Sequence, residues 1–224
     1  MFRGHCRFPF TIDGRCAGLG SITASDTPPA RNTISYIRIP QGSQSCWYID
    51  DRLTHDCNTN AAVLSCLNLL RSGQTTFLQL CGIDRLGGAS CGLACFVACL
   101  GIDTSIAMTG FVIGLGNSHS TAMAVEEIDC LDTKLAWCHR NGVTLICPCS
   151  DESLSNSSVL TDLLANEIPT TFSRAFRHPR DDDRSFVGCV ASIAELAVVA
   201  PILDPTLSYE DFIPFRMMMS MMPT

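Results

Sequence analysis

The sequence is poor in charged residues, in aromatic residues and above all in lysine. Charged residues make up 17% of the 224 positions and aromatic residues 7%. Lys134 is the only lysine, and all the other residues of the Lys and Arg class are arginines. No run approaches the roughly 20 apolar residues that a membrane-spanning helix needs, and the N-terminal MFRGHCRFPF lacks the apolar core of a signal peptide. These absences predict a globular protein with no membrane partner.

Several binding functions are disfavoured in the same way. The net charge is -7 and the arginines form no long run, so nucleic acid is not an expected partner. Cys147-Pro-Cys149 is a single close pair with no second pair or histidine at ligand spacing, so no metal site is expected. The chain has no Walker motif, which excludes an ATP-driven unfoldase, and no cofactor is predicted.

Fourteen cysteines would suit a disulfide scaffold, but their positions indicate another role. Cys91, Cys95 and Cys99 recur every four residues along one predicted helix face. Further cysteines stand inside apolar runs: Cys66, Cys130, Cys138 and Cys189. Cysteine in these places is expected to pack as a small buried hydrophobe. A reducing compartment follows, so the predicted location is the cytoplasm.

Apolar periodicity and turn residues predict a series of strands and helices. The predicted strands cover 11–24, 35–39, 46–49, 76–80, 104–113, 122–128, 143–147, 168–172 and 186–190, and the predicted helices 59–70, 90–100, 132–140, 158–165 and 193–200. Asp132 is the expected N-cap of the third helix. The alternation of elements favours a single α/β domain with a mixed sheet. Its expected parts are an N-terminal strand region (1–58), a core (59–200) and a Pro/Met-rich tail (201–224).

The most informative stretch is 85–100, RLGGASCGLACFVACL. Gly87 and Gly88 allow a tight turn and a close backbone approach to a ligand. Ser90 then leads straight into an apolar helix, where backbone N–H groups have no intrahelical acceptor. This arrangement suits a nucleophile with an oxyanion hole or a loop that cradles phosphate, and its simplest alternative is a helix-capping serine.

Lys134 is the second candidate. It stands in the first turn of a short predicted helix, where the helix dipole disfavours an ammonium group and lowers its pKa. A lysine brought toward neutrality can accept a proton, which an arginine cannot. The alternative interpretation is an ordinary exposed helix lysine.

Four blocks of the sequence resemble the proteolytic domain of Lon-type proteases. GGASCGLACFVACL is similar to the nucleophile segment of that family, and IAMTG at 106–110 to its Ala-Met-Thr-Gly strand. LDTKLAWCHRNGVTLICP at 131–148 resembles the lysine helix and the strand after it, and VASIAELAVV at 190–199 the closing strand and helix. The blocks occur in the family's order and cover about 60–200. Without an ATPase module, the chain is similar to birnavirus polyprotein proteases, and a divergent cellular stand-alone Lon-like peptidase or the severed C-terminal part of a larger Lon fits nearly as well.

The resemblance implies a Lon-like fold and an ATP-independent serine endopeptidase with a Ser-Lys dyad. Ser90 would be the nucleophile, Lys134 the general base, and Thr109 a neighbour that orients the lysine. The N–H groups of Gly88, Ala89 and Ser90 would form the oxyanion hole. The substrate would be a polypeptide, including the chain's own precursor in polyprotein processing, in the host cytoplasm if the protein is viral. A homo-oligomer is left open.

The chain departs from the family pattern near both site residues. Gly87 and Ala89 replace the usual aspartate and proline, Cys91 replaces alanine, and Asp129-Cys130 replaces Gly-Gly. These changes keep a catalytically inactive Lon-like assembly module as an alternative. A second alternative is a small-molecule kinase of the galactokinase–homoserine kinase type, because LGGASCGLA at 86–94 also resembles a phosphate loop. Cys91 has apolar neighbours and is expected to pack inward.

Overall fold

Eleven strands and three α-helices occupy the described part of the chain. The computed structural model describes residues 3–27, 36–39, 47–48, 76–81, 89–114, 123–126, 128–148, 175–177 and 186–212. The strands are β1 Arg3–Ile12, β2 Arg15–Ser25, β3 Tyr36–Ile39, β4 Trp47–Tyr48, β5 Thr76–Cys81, β6 Asp103–Met108, β7 Phe111–Gly114, β8 Met123–Glu126, β9 Leu145–Pro148, β10 Ala175–Arg177 and β11 Phe186–Val190. The helices are α1 Gly92–Leu100, α2 Leu131–Arg140 and α3 Ile193–Leu203, with 3₁₀ turns at Ala89–Cys91 and Tyr209–Phe212. The predicted helices 59–70 and 158–165 and the predicted strand 168–172 lie outside the described residues.

Nine of these strands form one mixed sheet in the order β10-β11-β9-β6-β1-β2-β5-β3-β4. The neighbours β1–β6, β6–β9 and β9–β11 run parallel, and the other pairs are antiparallel. The remaining strands, β7 and β8, pair as a separate antiparallel hairpin. The prediction of an α/β protein with a mixed sheet is therefore confirmed.

The prediction of one strand over 11–24 is wrong, because the chain turns at Asp13-Gly14. Both residues have positive φ, 49° and 75° respectively. A two-residue turn with positive φ at both positions matches the right-handed twist of the strands that it joins. It closes a hairpin of β1 and β2, whose register begins at Ile12 opposite Arg15.

The predicted strand 104–113 is also wrong as a single element. The chain leaves the main sheet at Thr109-Gly110, so β6 belongs to that sheet and β7 to the hairpin with β8. Gly110 has a φ of 153°, and a Cβ added there would lie 2.8 Å from Val125 Cγ1. A glycine is therefore needed where the strand changes sheets.

Both faces of the central strands are covered, since successive side chains of a strand point to opposite faces. Ile106 and Met108 of β6 belong to the larger core cluster, which includes residues of α1 and α3. Ala107, between them, belongs to a second cluster with Leu135 and Cys138 of α2. Helices α1 and α3 thus pack on one face of the sheet and α2 on the other.

Most described cysteines are core residues, as expected. Nine of them are present as thiols, and the seven buried ones are Cys6, Cys91, Cys95, Cys99, Cys138, Cys147 and Cys189. Burial raises the pKa of Cys6 and of Cys138 to about 12. Cys16 is half-buried, whereas Cys130 is exposed and so departs from the expectation of burial. Cys66 lies outside the described residues.

Residues 201–212 belong to the fold, although they fall in the segment that the sequence assigns to a tail. Helix α3 continues past Pro201 to Leu203. The chain then forms the 3₁₀ turn Tyr209–Phe212, in which Phe212 is buried in the larger cluster. The rest of that segment, 213–224, lies outside the described residues.

Across the described ranges, no helix is both long enough and apolar enough to cross a membrane.

Candidate active site

The candidate nucleophile Ser90 stands in the 3₁₀ turn that leads into α1. Ser90 is half-buried, and Cys91, not Ser90, occupies the N-cap position of the helix. The capping-serine alternative therefore does not describe this residue. Ala89 and Ser90 precede the first helical residue, where backbone N–H groups lack intrahelical acceptors. Gly87 and Gly88 lie outside the described residues, so the expected role of Gly88 in an oxyanion hole stays a prediction.

The backbone of Ser90 is fixed by the end of β6. The buried Thr109 donates a hydrogen bond from Oγ1 to the Ser90 carbonyl oxygen at 3.0 Å. The Gly110 N–H donates to the same oxygen at 3.1 Å, and the Leu93 N–H donates to the Gly110 carbonyl oxygen at 2.9 Å. Three hydrogen bonds thus join the serine turn to the point where the chain leaves the main sheet. The structure places Thr109 beside Ser90, with its hydroxyl bonded to the serine backbone.

Lys134 is a buried amine. Only 2% of this residue is exposed, which excludes the exposed-lysine interpretation. Its Nζ donates a hydrogen bond to the main-chain oxygen of Asp129 at 3.3 Å. Desolvation by burial lowers the pKa of Lys134 from its ordinary value of 10.5, while the charges of Cys130, Cys16, Cys91 and Asp129 oppose that shift. The dominant effect favours the neutral amine.

Lys134 and the serine turn share one region of the molecule. Cys91, the residue after Ser90, is close enough to Lys134 for its charge to act on the lysine. Cys16, at the start of β2, acts on the same amine. Thr109, Ser90 and Cys16 all lie next to the carboxyl ends of the parallel strands β1 and β6, because β2 begins just after β1 ends. This is the sheet edge where α/β proteins place their ligands.

Asp103 contacts a histidine at the far end of β6. Its Oδ1 lies 3.5 Å from His5 Nδ1. Asp103 is the first residue of β6, so this pair is at the end of the strand opposite to Thr109. No group of three His, Cys, Asp or Glu side chains among the described residues could hold a metal ion. Cys149, half of the close cysteine pair, is not among those residues.

The residues just before α2 were not anticipated. The expected N-cap, Asp132, is the second residue of the helix, and the N-cap is Cys130. An aspartate in the first turn still interacts favourably with the helix dipole, which is why the sequence favours it as a cap. The Cys130 carbonyl oxygen accepts hydrogen bonds from the Lys134 N–H at 3.3 Å and from Thr133 Oγ1 at 3.0 Å. The sequence could not predict these contacts, because they are made by the main-chain carbonyl groups of Asp129 and Cys130 and not by their side chains.

Comparison with known proteins gives no match to any family model, any curated protein or any solved structure. The function is therefore argued from the site.

Proposed function

We propose that the protein is a serine endopeptidase of the Lon type that uses Ser90 as nucleophile and Lys134 as general base. The observation that carries the proposal is the burial of the only lysine of the chain, near enough to Cys91, the residue after Ser90, for the two groups to interact. Burial of a charged lysine is costly, and the cost is smaller when the amine is neutral. Its lowered pKa brings the amine closer to the neutral form, which can accept a proton.

The surroundings of Lys134 favour a base over an ion-pair partner. A carboxylate beside the amine would hold it as ammonium, but its electrostatic neighbours are chiefly thiols. Burial has the larger effect on the amine, and the charges of these neighbours oppose it only in part.

The chemistry follows from these roles. Neutral Lys134 removes the Ser90 hydroxyl proton as Oγ attacks the scissile carbonyl carbon, and backbone N–H groups of the serine turn stabilise the oxyanion. The lysine ammonium then gives its proton to the leaving amine, which leaves an acyl group on Oγ. Water, activated by the same amine, releases the acyl group and restores the serine. No step needs a cofactor.

The substrate in this proposal is a polypeptide, with the chain's own precursor as one candidate. The resemblance to stand-alone viral proteases supports a reaction without ATP. The nine described thiols support a reducing compartment such as the cytoplasm, which would be the host cytoplasm for a viral protein.

The test is casein digestion without ATP by the wild type, Ser90→Ala and Lys134→Met. We expect each substitution to lower the rate by at least about a hundredfold, because each removes one partner of the dyad. Matched controls are Ser105→Ala, an exposed serine of β6, and Arg140→Met, an exposed cation on the lysine helix. Both controls should retain activity. The rate should rise with pH through a limb below 10.5, the ordinary lysine pKa.

Other results would favour the alternatives. A folded wild type without peptidase activity would indicate the inactive assembly module. ATP binding with phosphate transfer to a small molecule would indicate the kinase. Full activity in Ser90→Ala would show that the nucleophile is a different residue.

A further inference from the structure

Cys130 has an unusual backbone conformation next to the candidate base. Its φ and ψ are 60° and 30°, in the left-handed region. Among the described non-glycine residues, Asp13 is the other one with positive φ, and it lies in a hairpin turn that requires that conformation. Aspartate tolerates the left-handed region better than cysteine does, because a short polar side chain can bond locally. Strained residues of this kind cluster at functional sites.

The conformation lets two consecutive carbonyl groups hold one lysine. The Cys130 carbonyl oxygen accepts from the Lys134 main-chain N–H, which begins α2. The Asp129 carbonyl oxygen accepts from the Lys134 side-chain Nζ. A right-handed or extended Cys130 would turn the two peptide groups relative to each other, so the first bond could not be kept together with the second.

A carbonyl acceptor suits an amine that must change its protonation state. Both ammonium and neutral amine have N–H groups to donate, so the bond to Asp129 persists throughout a proton transfer. In the neutral amine, this bond occupies one N–H and leaves the lone pair available to accept a proton. A carboxylate in the same place would stabilise the ammonium and raise its pKa.

We propose that Cys130 is a positioning residue for the peptidase, whose left-handed backbone directs the Asp129 carbonyl to Lys134 Nζ and so aims the amine toward Ser90. This inference rests on the proposed function. The contribution comes from the backbone of Cys130, since its thiol is exposed and its two bonds to α2 use the carbonyl oxygen.

The test compares replacements that differ in their tolerance of positive φ. Cys130→Gly and Cys130→Asn allow the conformation, whereas the β-branched Cys130→Val disfavours it. We expect Cys130→Val to lower kcat at least about tenfold with a smaller change in KM, because the misaligned base acts in the chemical step. Cys130→Gly and Cys130→Asn should stay within about threefold of the wild type.

A second readout does not depend on peptidase activity. Because the chain has one lysine, protein labelled with ¹³Cε-lysine gives one side-chain NMR signal, and its pH titration reports Lys134 directly. We expect the midpoint to be the same in Cys130→Gly and Cys130→Asn, which both lack the thiol, and to differ from theirs in Cys130→Val. The groups that act on this titration are Cys16, Cys91, Cys130 and Asp129, so Cys130→Asn serves as the control for loss of the thiol charge.

The outcomes separate the two proposals. Equal kcat in Cys130→Val and wild type, together with equal lysine midpoints in Cys130→Val and Cys130→Asn, would overturn the positioning role, as would an equal loss of kcat in Cys130→Gly and Cys130→Val. If Cys130→Val does not fold, as judged by its thermal transition, Cys130→Ala takes its place. If the wild type has no peptidase activity, the proposed function fails, and the lysine midpoint alone then decides whether Cys130 holds the amine.

Discussion

At the scale of single residues, the burial of Lys134, the base of the proposed mechanism, has a cost to stability. The folded protein removes an amine from water and gives it one carbonyl oxygen as hydrogen-bond acceptor. Desolvation is the main reason for its lowered pKa. The same desolvation makes the charged form of this residue unfavourable in the folded state.

Lys134→Met should therefore stabilise the protein, most strongly at low pH. The pKa of Lys134 is lowered on folding, so between that value and 10.5 the unfolded chain binds a proton that the folded chain does not. Wild-type stability then rises with pH across this interval: the lysine penalty is full below the folded pKa and absent above 10.5. Urea unfolding of both proteins at pH 6, 8 and 10 should show a stability gap in favour of Lys134→Met that narrows as pH rises. A gap independent of pH, or a less stable variant at pH 6, would contradict this account.

The sequence singles out the side chains of the candidate site but not its backbone groups. Ser90 stands out because it follows a glycine turn, and Lys134 because it is the only lysine of the chain. Asp129 and Cys130 could not be found in this way, since their contribution is a carbonyl direction set by a φ that cysteine rarely adopts. A carbonyl group is present in every residue, so its orientation leaves no signal in composition or spacing.

At the scale of elements, the differences between sequence and structure have physical causes. The hairpin turn at Asp13-Gly14 does have a signal, because Asp-Gly between alternating residues is a strong hairpin pattern. The break between β6 and β7 has no specific signal, because residues 104–113 are rich in apolar residues along their whole length and Gly110 is compatible with a strand. Side-chain periodicity locates the strands, but it does not show which sheet each strand joins.

The start of α3 allows a direct test of capping. The Glu195 N–H donates to Ser192 Oγ at 3.2 Å, and the Ala191 N–H donates to Glu195 Oε2 at 2.8 Å. Ser192→Ala should lower the free energy of unfolding by about 1 kcal/mol, because a helical N–H loses its acceptor. Urea denaturation measures the change, with Ser105→Ala on an exposed strand position as the control. Equal midpoints for Ser192→Ala and the control would show that the cap contributes nothing.

At the scale of the whole molecule, the larger apolar cluster extends to the last described residue. Phe212 packs in the cluster with α1 and α3, although composition alone assigns 201–224 to a tail. The sequence misleads here because Pro201 reads as a helix stop, whereas α3 continues for two more residues. The fold class itself is predictable, since it follows from the alternation of elements. The order of the strands is not, since it depends on pairings between distant parts of the chain.

Phe212→Ala should therefore cost about 3 kcal/mol or more of unfolding free energy, as expected for removal of a fully buried aromatic ring. The matched control is Tyr209→Ala in the same 3₁₀ turn. Tyr209 is 46% exposed, so its loss should change stability much less. Similar denaturation midpoints for both variants would mean that Phe212 does not belong to the core.

The pairing of β1 with β6 also sets how long the edge of β1 stays unpaired while the chain is being synthesised. His5 pairs with Asp103, so the inner edge of the N-terminal hairpin has no partner until residues about a hundred positions later have been synthesised. At about 5–20 residues per second, that delay lasts roughly 5–20 seconds. An unpaired strand edge invites pairing with other chains, and charged side chains discourage it. The exposed Arg3 and Arg7 place such charge along β1, and we expect it to discourage pairing with other chains until the rest of the sheet has formed.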